Sequence, residues 1–270
     1  MHFEAHAKIN LFLNVLGPRP DGFHEIRSVM QALALADQLT IMPEGNSLQL
    51  TCSDPALATP ENLVVKAYHL FYEETGFSPM ALHVHLEKNI PVAAGLGGGS
   101  SDAASMLMAL KQLHGEAVSL EKMAAQLGSD VPFFLYGGTC LATGRGEKIS
   151  PLPPLQPREV VLLKPKALEI SAASAYQALR EENRYVEKDY DDLVDLLYND
   201  FERVLFPQYP ALARAKSKLI QLGCHATLLS GSGPTLFTIL DDPEIQRPKI
   251  EHAFPSNIWQ VIYTNFLRMP

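Results

Sequence analysis

Apolar and polar residues alternate along several short stretches of the chain, which is the pattern of half-buried β-strands. In residues 82–87, leucine and valine alternate with histidine and glutamate. Similar short apolar patterns predict further strands, and residues 43–46 between two of them predict a hairpin turn. These further strands are expected at residues 7–16, 39–42, 48–52, 160–164, 226–229, 235–240 and 259–265.

Longer stretches with helical periodicity and capping residues predict helices. Asn62 is a suitable N-cap for a helix that ends before Gly76, and Ser119 for a helix that ends before Gly128. An alanine-, methionine- and leucine-rich run predicts a helix over 103–113. Helices are also expected at residues 172–182, 193–205, 211–222 and 245–253.

A proline-rich segment divides the chain. Residues 151–157 read Pro-Leu-Pro-Pro-Leu-Gln-Pro, which can continue neither a helix nor a central strand. We therefore predict two domains, residues 1–155 and 156–270. In the second, the order β-α-β-β-α-β suggests a ferredoxin-like layer.

The most informative segment is Pro-Val-Ala-Ala-Gly-Leu-Gly-Gly-Gly-Ser-Ser-Asp at 91–102. Glycines let backbone N–H groups approach a ligand closely, and the following helix would add its N-terminal N–H groups. This combination is suited to binding phosphate. A Walker A string is absent, and the match to a dinucleotide-binding fingerprint is approximate and lies too far after its strand. An atypical phosphate loop is favoured, while a glycine-rich turn without a ligand stays open.

Composition narrows the function classes. The chain has 270 residues, is 47% hydrophobic and carries a net charge of −8, which argues against broad nucleic-acid binding. Its three cysteines are far apart and lack zinc-site spacing. His83 and His85 share a predicted strand face without a visible third metal ligand. No signal-peptide pattern or membrane-length apolar run is present, so we expect a cytoplasmic protein with no membrane partner.

Three further places carry candidate chemistry. By strand alternation, Lys8, Asn10 and Phe12 share one face. Phe23 and His24 follow a turn-rich loop, and Asp130 precedes an apolar run in Gly-Ser-Asp-Val-Pro. Asp130 is a candidate general base. Each also has an ordinary interpretation. Lys8 and Asn10 could lie on a solvated strand edge, His24 could be a surface histidine, and Asp130 could form an Asx turn that ends a helix.

These segments occur together in the order of one family. The chain resembles the GHMP small-molecule kinases over essentially its whole length, through residues 7–13, 91–102 and 230–235. The resemblance implies an α+β, two-domain fold, with a ribosomal-protein-S5-like N-terminal domain and a ferredoxin-like C-terminal domain. The active site is expected between them. One small departure is Ser129, where alanine is common.

Residues 7–13, 19–24 and 128–134 resemble the branch of the family that acts on a cytidyl-diphospho-methylerythritol. The resemblance implies ATP-dependent phosphorylation of the 2-hydroxyl of that small molecule, with Mg²⁺, in non-mevalonate isoprenoid synthesis. It assigns catalysis to Lys8 and Asp130. It assigns substrate binding to Asn10, Phe23, His24 and Tyr176. It assigns nucleotide binding to Pro91, Val92, Ala93, Ala94, Gly95, Leu96, Gly97, Gly98, Gly99, Ser100, Ser101, Asn62 and Lys88.

Alternatives remain at this point. Within the same class of enzyme, the alternative is a GHMP kinase that acts on homoserine or mevalonate. A nicotinamide-dependent oxidoreductase and an inactive binding module belong to other classes. We expect a monomer or a weak homodimer.

Overall fold

The structure is a computed structural model that describes residues 1–115, 117–187 and 197–267. Within those ranges the strands are β1 (His2–Pro18), β2 (His24–Met42), β3 (Gln49–Cys52), β4 (His83–Glu87), β5 (Thr139–Thr143), β6 (Lys148–Pro151), β7 (Glu159–Pro165), β8 (Tyr198–Asn199), β9 (Ala226–Leu229), β10 (Leu236–Ile239) and β11 (Trp259–Asn265). The helices are α1 (Leu63–Thr75), α2 (Gly98–His114), α3 (Glu121–Leu127), α4 (Phe133–Tyr136), α5 (Ala172–Glu182), α6 (Phe201–Gln208), α7 (Pro210–Gln221) and α8 (Pro243–Ala253).

The first sheet is built around two long antiparallel strands, β1 and β2. In the described ranges it has seven strands, ordered β3-β4-β2-β1-β8, with β5 paired to β2 and β6 paired to β5. Helices α1 and α2 pack beside it and bury residues such as Phe71, Leu107 and Phe133 in one apolar core. Removal of this apolar surface from water stabilises the layer. The packing fixes β1 and the start of α2, which both reach the site described below.

The predicted hairpin across residues 43–46 is wrong. Strand β4 lies between the two segments, with Leu39 of β2 opposite Leu86 and Leu50 of β3 opposite Val84. A turn-rich sequence shows where the chain reverses but does not fix which strands become neighbours. The half-buried β4, which comes later in the chain, takes the inner position.

Most of β2 was missed, since the pattern predicted only residues 39–42. Residues 28–33 are all buried, including the polar Ser28 and Gln31. A strand covered on both faces loses the apolar–polar alternation that identifies half-buried strands. The sequence signal is therefore weakest where β2 is most buried.

A β-bulge in β1 changes which side chains share a face with Lys8. The register against β2 shifts between Asn10 and Phe12. Phe12 packs in the same core cluster as Ile9, whereas Leu13 lines the same cavity as Lys8. The predicted grouping of Phe12 with Lys8 and Asn10 is therefore wrong, because one extra residue inverts the later alternation.

The second sheet confirms the ferredoxin-like prediction for the C-terminal half. Its order is β11-β7-β10-β9, and every pairing is antiparallel. This is the spatial order 4-1-3-2 when the strands are counted along the chain. All four strands lie at the positions predicted from the sequence to within a residue or two.

Most helix predictions are confirmed, but the cap of α3, the helix expected over 193–205 and the start of α2 need correction. Asn62 caps α1 as expected, and its side chain accepts a hydrogen bond from the Val64 N–H at 2.9 Å. Ser119 does not cap α3, because its hydroxyl donates to Glu121 instead. Of the helix expected over 193–205, residues 193–196 lie outside the described residues; beyond them come β8 and then α6, which starts only at Phe201. Over the described ranges, no helix has the length and apolar character needed to span a membrane.

Buried polar contacts join the two halves of the chain. The carboxylate of Asp200, just before α6, accepts hydrogen bonds from the Val15 N–H at 2.6 Å and from Asn14 Nδ2 at 2.7 Å. The Ser230 hydroxyl donates to the Gly95 carbonyl at 2.9 Å. These contacts bring the loop at 230–235 against the glycine segment, so a cleft forms where the two sheets meet.

Candidate active site

The glycine segment follows a path that requires glycine at two positions. Gly95 and Gly97 have φ of 74°, in the left-handed region. A Cβ on Gly95 would overlap the Ser230 carbonyl oxygen, and one on Gly97 would lie 2.7 Å from Phe134 Cζ. The backbone therefore lies closer to its neighbours than any side chain would allow.

Helix α2 begins inside this segment, at Gly98, earlier than the sequence predicted. Its N-cap is Gly97, and among the described residues no side chain caps it. The first N–H groups of the helix are thus available to an anion. Local sequence supports this geometry, since Gly97 to Gly99 provide no side chain to compete for those donors.

A small cavity of about 340 Å³ lies along the outside of the segment. Asn62 and Lys88 line it together with residues 91–100 and Asp102, so the structure brings most of the predicted nucleotide residues together. Both side chains are already engaged: Asn62 caps α1, and Lys88 lies between two buried carboxylates. Ser101 is buried on α2 and is not among the described residues that line this cavity.

A larger cavity of about 820 Å³ is lined by Gly95 and Gly97 of the same segment. Lys8 points into it and is only 3% exposed. Lys8 Nζ lies 3.2 Å from Asp130 Oδ2 and donates to Asn10 Oδ1 at 2.7 Å. Asn10 Nδ2 in turn donates to the Ser28 hydroxyl at 2.8 Å. A buried lysine is tolerated because these partners satisfy it, and they also fix the position of its ammonium group.

Asp130 enters the cavity from the turn between α3 and α4. Its side chain is 33% exposed, so one side meets Lys8 and the other faces the open cavity. A carboxylate in this setting can accept a proton from a bound hydroxyl, and the lysine can stabilise nearby negative charge. The predicted pair of Lys8 and Asp130 is thus placed for proton transfer and charge stabilisation.

Three predicted substrate residues with aromatic rings, Phe23, His24 and Tyr176, line the same cavity. Tyr176 on α5 stacks on His24, with ring centroids 4.7 Å apart and planes inclined by 24°. Phe23 is 46% exposed and lies under the guanidinium of Arg145, 4.5 Å from the ring centroid. Phe23 and Tyr176 therefore line one cavity, but Tyr176 is already stacked on His24.

Burial changes the protonation of this aromatic group. It lowers the pKa of His24, and the nearby Arg180 lowers it further. Burial, and then the charge of Asp130, raise the pKa of Tyr176 well above its usual range. Both rings are therefore neutral near pH 7. Within the described part of the chain, His24 Nε2 has no hydrogen-bond partner and is available to a ligand.

Sequence reasoning missed two arginines. Arg145 lies over Phe23, and Arg180 Nη2 donates to the Gly22 carbonyl at 2.6 Å. The only sequence signal for Arg145 is its position between two glycines, and Arg180 resembles any surface residue of a helix. The loop at 231–233 also lines the cavity. It belongs to a segment that carried the family resemblance but was given no site role.

Family models match both halves of the chain. The GHMP kinase N-terminal domain matches residues 62–138, and the GHMP kinase C-terminal domain matches residues 175–256. Two curated relatives are named 4-diphosphocytidyl-2-C-methyl-D-erythritol kinase. The protein from Synechococcus sp. (strain JA-2-3B'a(2-13)) is 40% identical, over 89% of this chain and 85% of the relative. The protein from Desulfitobacterium hafniense (strain Y51) is 41% identical, over 97% and 94%.

The chain belongs to this family of GHMP kinases. A crystal structure titled 4-(cytidine 5'-diphospho)-2C-methyl-D-erythritol kinase is 33% identical and superposes with a TM-score of 0.84, covering 99% of this chain and 100% of that one. Methanococcus jannaschii mevalonate kinase has a TM-score of 0.71 at 14% identity, which shows the shared fold alone. The two-domain GHMP kinase fold and the assignment as an ATP-using kinase are confirmed, and the oxidoreductase alternative is wrong.

Proposed function

We propose that this kinase transfers the γ-phosphoryl group of ATP to the 2-hydroxyl of 4-diphosphocytidyl-2-C-methyl-D-erythritol. The observation that carries the proposal is the position of Lys8 and Asp130. They lie in one cavity whose lining also includes Gly95 and Gly97 of the glycine segment and the aromatic group of Phe23, His24 and Tyr176. A nucleotide and a base-bearing acceptor bound at these two places would meet at the pair.

Phosphoryl transfer depends mainly on positioning and on stabilising negative charge. We infer that the N–H groups of residues 95–99 and the start of α2 hold the ATP phosphates. The nucleotide enters as its Mg²⁺ complex, in which the ion neutralises part of the phosphate charge. Asp130 accepts the proton of the acceptor hydroxyl, and Lys8 stabilises charge on the transferred group.

The acceptor end of the cavity supports a cytidine-bearing substrate. His24 Nε2 offers a buried polar atom to a base edge, while Phe23 and Tyr176 offer ring surfaces. Arg145 and Arg180 add positive charge at the same end, which suits a diphosphate. Homoserine and mevalonate carry neither a base nor a diphosphate, so they would leave these groups unused.

A substrate panel tests this proposal. The purified protein is incubated with Mg²⁺-ATP and the cytidyl-diphospho-methylerythritol, homoserine or mevalonate, while ADP and the phosphorylated product are measured. We expect turnover with the first acceptor only. Turnover with another acceptor, or none with the first, would refute the assignment.

We also propose that the chain is organised as domains 1–155 and 156–270 and acts as a monomer or weak homodimer. Both parts of one chain supply residues to the cavity, from Lys8 to Gly233, which supports a site complete in a single copy. Sedimentation velocity across a concentration series, with activity measured at each concentration, tests this. Activity that appears only with a stable dimer would contradict it.

A further inference from the structure

Three charged side chains form a buried cluster behind the glycine segment. Lys88 donates to a carboxylate oxygen of Asp37 on β2 and to Asp102 Oδ2 on α2, the second at 2.8 Å. Asp37 and Asp102 are almost completely buried. The cluster therefore contains two carboxylates and one lysine, whose side chains are at most 8% exposed.

The cluster is attached directly to the segment that we assign to the nucleotide. Asp37 Oδ1 accepts hydrogen bonds from the backbone N–H groups of Asn89 and Ile90, at 2.6 and 2.8 Å. These two residues immediately precede the segment, which starts at residue 91. A Cβ on Gly98 would lie 3.2 Å from Lys88 Nζ. Lys88 and Asp102 also line the smaller cavity beside this segment. A change of charge in the cluster acts on the same backbone that would hold the phosphates.

One carboxylate of this cluster is incompletely compensated. Asp102 is 2% exposed, and within the described residues its Oδ1 has no hydrogen-bond partner. Burial raises the pKa of Asp102 to about 7; Lys88 opposes this shift, and Asp37 adds to it. Burial alone would lower the pKa of Lys88, but the two carboxylates raise it, so the lysine stays charged.

We propose that Asp102 is a positioning residue that links nucleotide binding to the uptake of one proton by the cluster. With both carboxylates ionised, the cluster has one excess negative charge beside the start of α2, where it weakens the attraction of that helix end for phosphate. A proton on Asp102 removes the excess charge. The inference rests on the proposed function, because it requires the phosphates to bind at this segment.

Several other titratable groups lie on the elements packed around Asp102. Lys88 and Asp37 face it directly. Cys52, at the end of β3, interacts with Lys88 and Asp102, and burial raises the pKa of its thiol, which stays neutral. The charge of Asp54 adds to that rise. Other elements packed against α2 carry Lys66 and Glu121 at the surface, Lys8 in its pair with Asp130, and Tyr68 bonded to the Met80 carbonyl.

Calorimetry of nucleotide binding tests the link. The parent protein is titrated with Mg²⁺ and a non-hydrolysable ATP analogue at pH 6, 7 and 8, in buffers of different ionisation enthalpy. If the phosphates raise the pKa of Asp102 by about one unit, affinity falls about fivefold from pH 6 to pH 8. Proton uptake near pH 7 accompanies binding. The titration of the nucleotide itself is common to all variants and cancels when they are compared.

Asp102→Asn keeps the size of the side chain and fixes it in a neutral form. We expect its affinity to stay near the low-pH value of the parent across this range, with less proton uptake and kcat within about twofold at pH 7. Glu61→Gln is the matched control, since it removes an exposed carboxylate next to Asn62 and should keep the pH dependence of the parent.

A second measurement needs no variant. Carbon-13 NMR of aspartate carboxyl groups should show one that titrates near pH 7 and moves to higher pH when the Mg²⁺–analogue complex binds. Equal proton uptake in parent and Asp102→Asn, or no aspartate titrating between pH 6 and 8, overturns the inference while leaving the proposed function intact. Failure of the parent to bind the analogue at all would overturn both.

Discussion

A single buried lysine organises the chemistry of the site. Lys8 is held between the carboxylate of Asp130 and the amide of Asn10, and it lies against the backbone of Gly97. An ammonium group withdrawn from water requires such partners, so the arrangement defines where negative charge is favoured in the cavity. The acceptor oxygen and the transferred phosphoryl group would then meet beside the Lys8 ammonium group.

We expect Asp130→Ala to lower kcat by about 10²–10⁴-fold, because a positioned proton acceptor typically contributes that much. The affinity for ATP should change little, since Asp130 lines the larger cavity and is not among the described residues that line the smaller one, where we propose that the nucleotide binds. Steady-state kinetics and equilibrium binding of a non-hydrolysable analogue separate the two effects. Near-normal turnover in this variant would remove Asp130 from catalysis.

Phe23→Ala is expected to weaken binding of the cytidyl substrate more than binding of ATP. An aromatic ring under a base contributes about 1–3 kcal/mol in nucleic-acid complexes. Because the ring is half-exposed, its removal should cost little stability. Phe23→Tyr keeps the ring surface under Arg145 and serves as the control. Equal losses of affinity for both ligands, measured by calorimetry, would contradict the assignment.

At the scale of the elements, the sequence predicted most helices and the four strands of the second sheet. It predicted β4 from its alternation, but it could not show that β4 lies between β2 and β3. The long part of β2 that is buried on both faces showed no apolar–polar alternation. The bulge in β1 was not marked by any local sequence pattern. The sequence identified candidate site residues that lie in recognisable motifs. Arg145 and Arg180 could be identified only from the structure, which places them at the cavity.

The glycine segment offers a matched pair of substitutions. Gly95→Ala places a methyl group against the Ser230 carbonyl in a backbone conformation that alanine rarely adopts, with a cost of about 1–3 kcal/mol. Gly99→Ala meets only Leu63 Cδ1 at 3.7 Å, so it should be neutral or stabilise α2 slightly. Chemical denaturation measures the change in the free energy of unfolding for both variants. We also expect Gly95→Ala to weaken nucleotide binding, and equal stability of the two variants would argue against the described path of the segment.

The whole molecule depends on the contacts that join its two halves, since the larger cavity has walls from both. Asp200 is central to these contacts. Its carboxylate accepts hydrogen bonds from the Val15 N–H, from Asn14 Nδ2 and, at 2.6 Å, from the Tyr198 hydroxyl. Through Tyr198, strand β8 also pairs with Phe12 of β1. Its carboxylate therefore satisfies donors on the buried Asn14 and Val15 and on the half-buried Tyr198.

We therefore expect Asp200→Ala to lower the free energy of unfolding by about 3–5 kcal/mol, the usual cost of breaking a buried charged network. The matched control is Asp241→Ala, which removes a surface pair with Arg158 and should cost less than about 1 kcal/mol. Urea denaturation of both variants measures the difference. Because β1 carries Lys8, the Asp200 variant should also lose turnover before it loses its helical circular dichroism as urea is added. Loss of both signals together, at the midpoint of the parent, would show that this contact neither stabilises the fold nor positions the site.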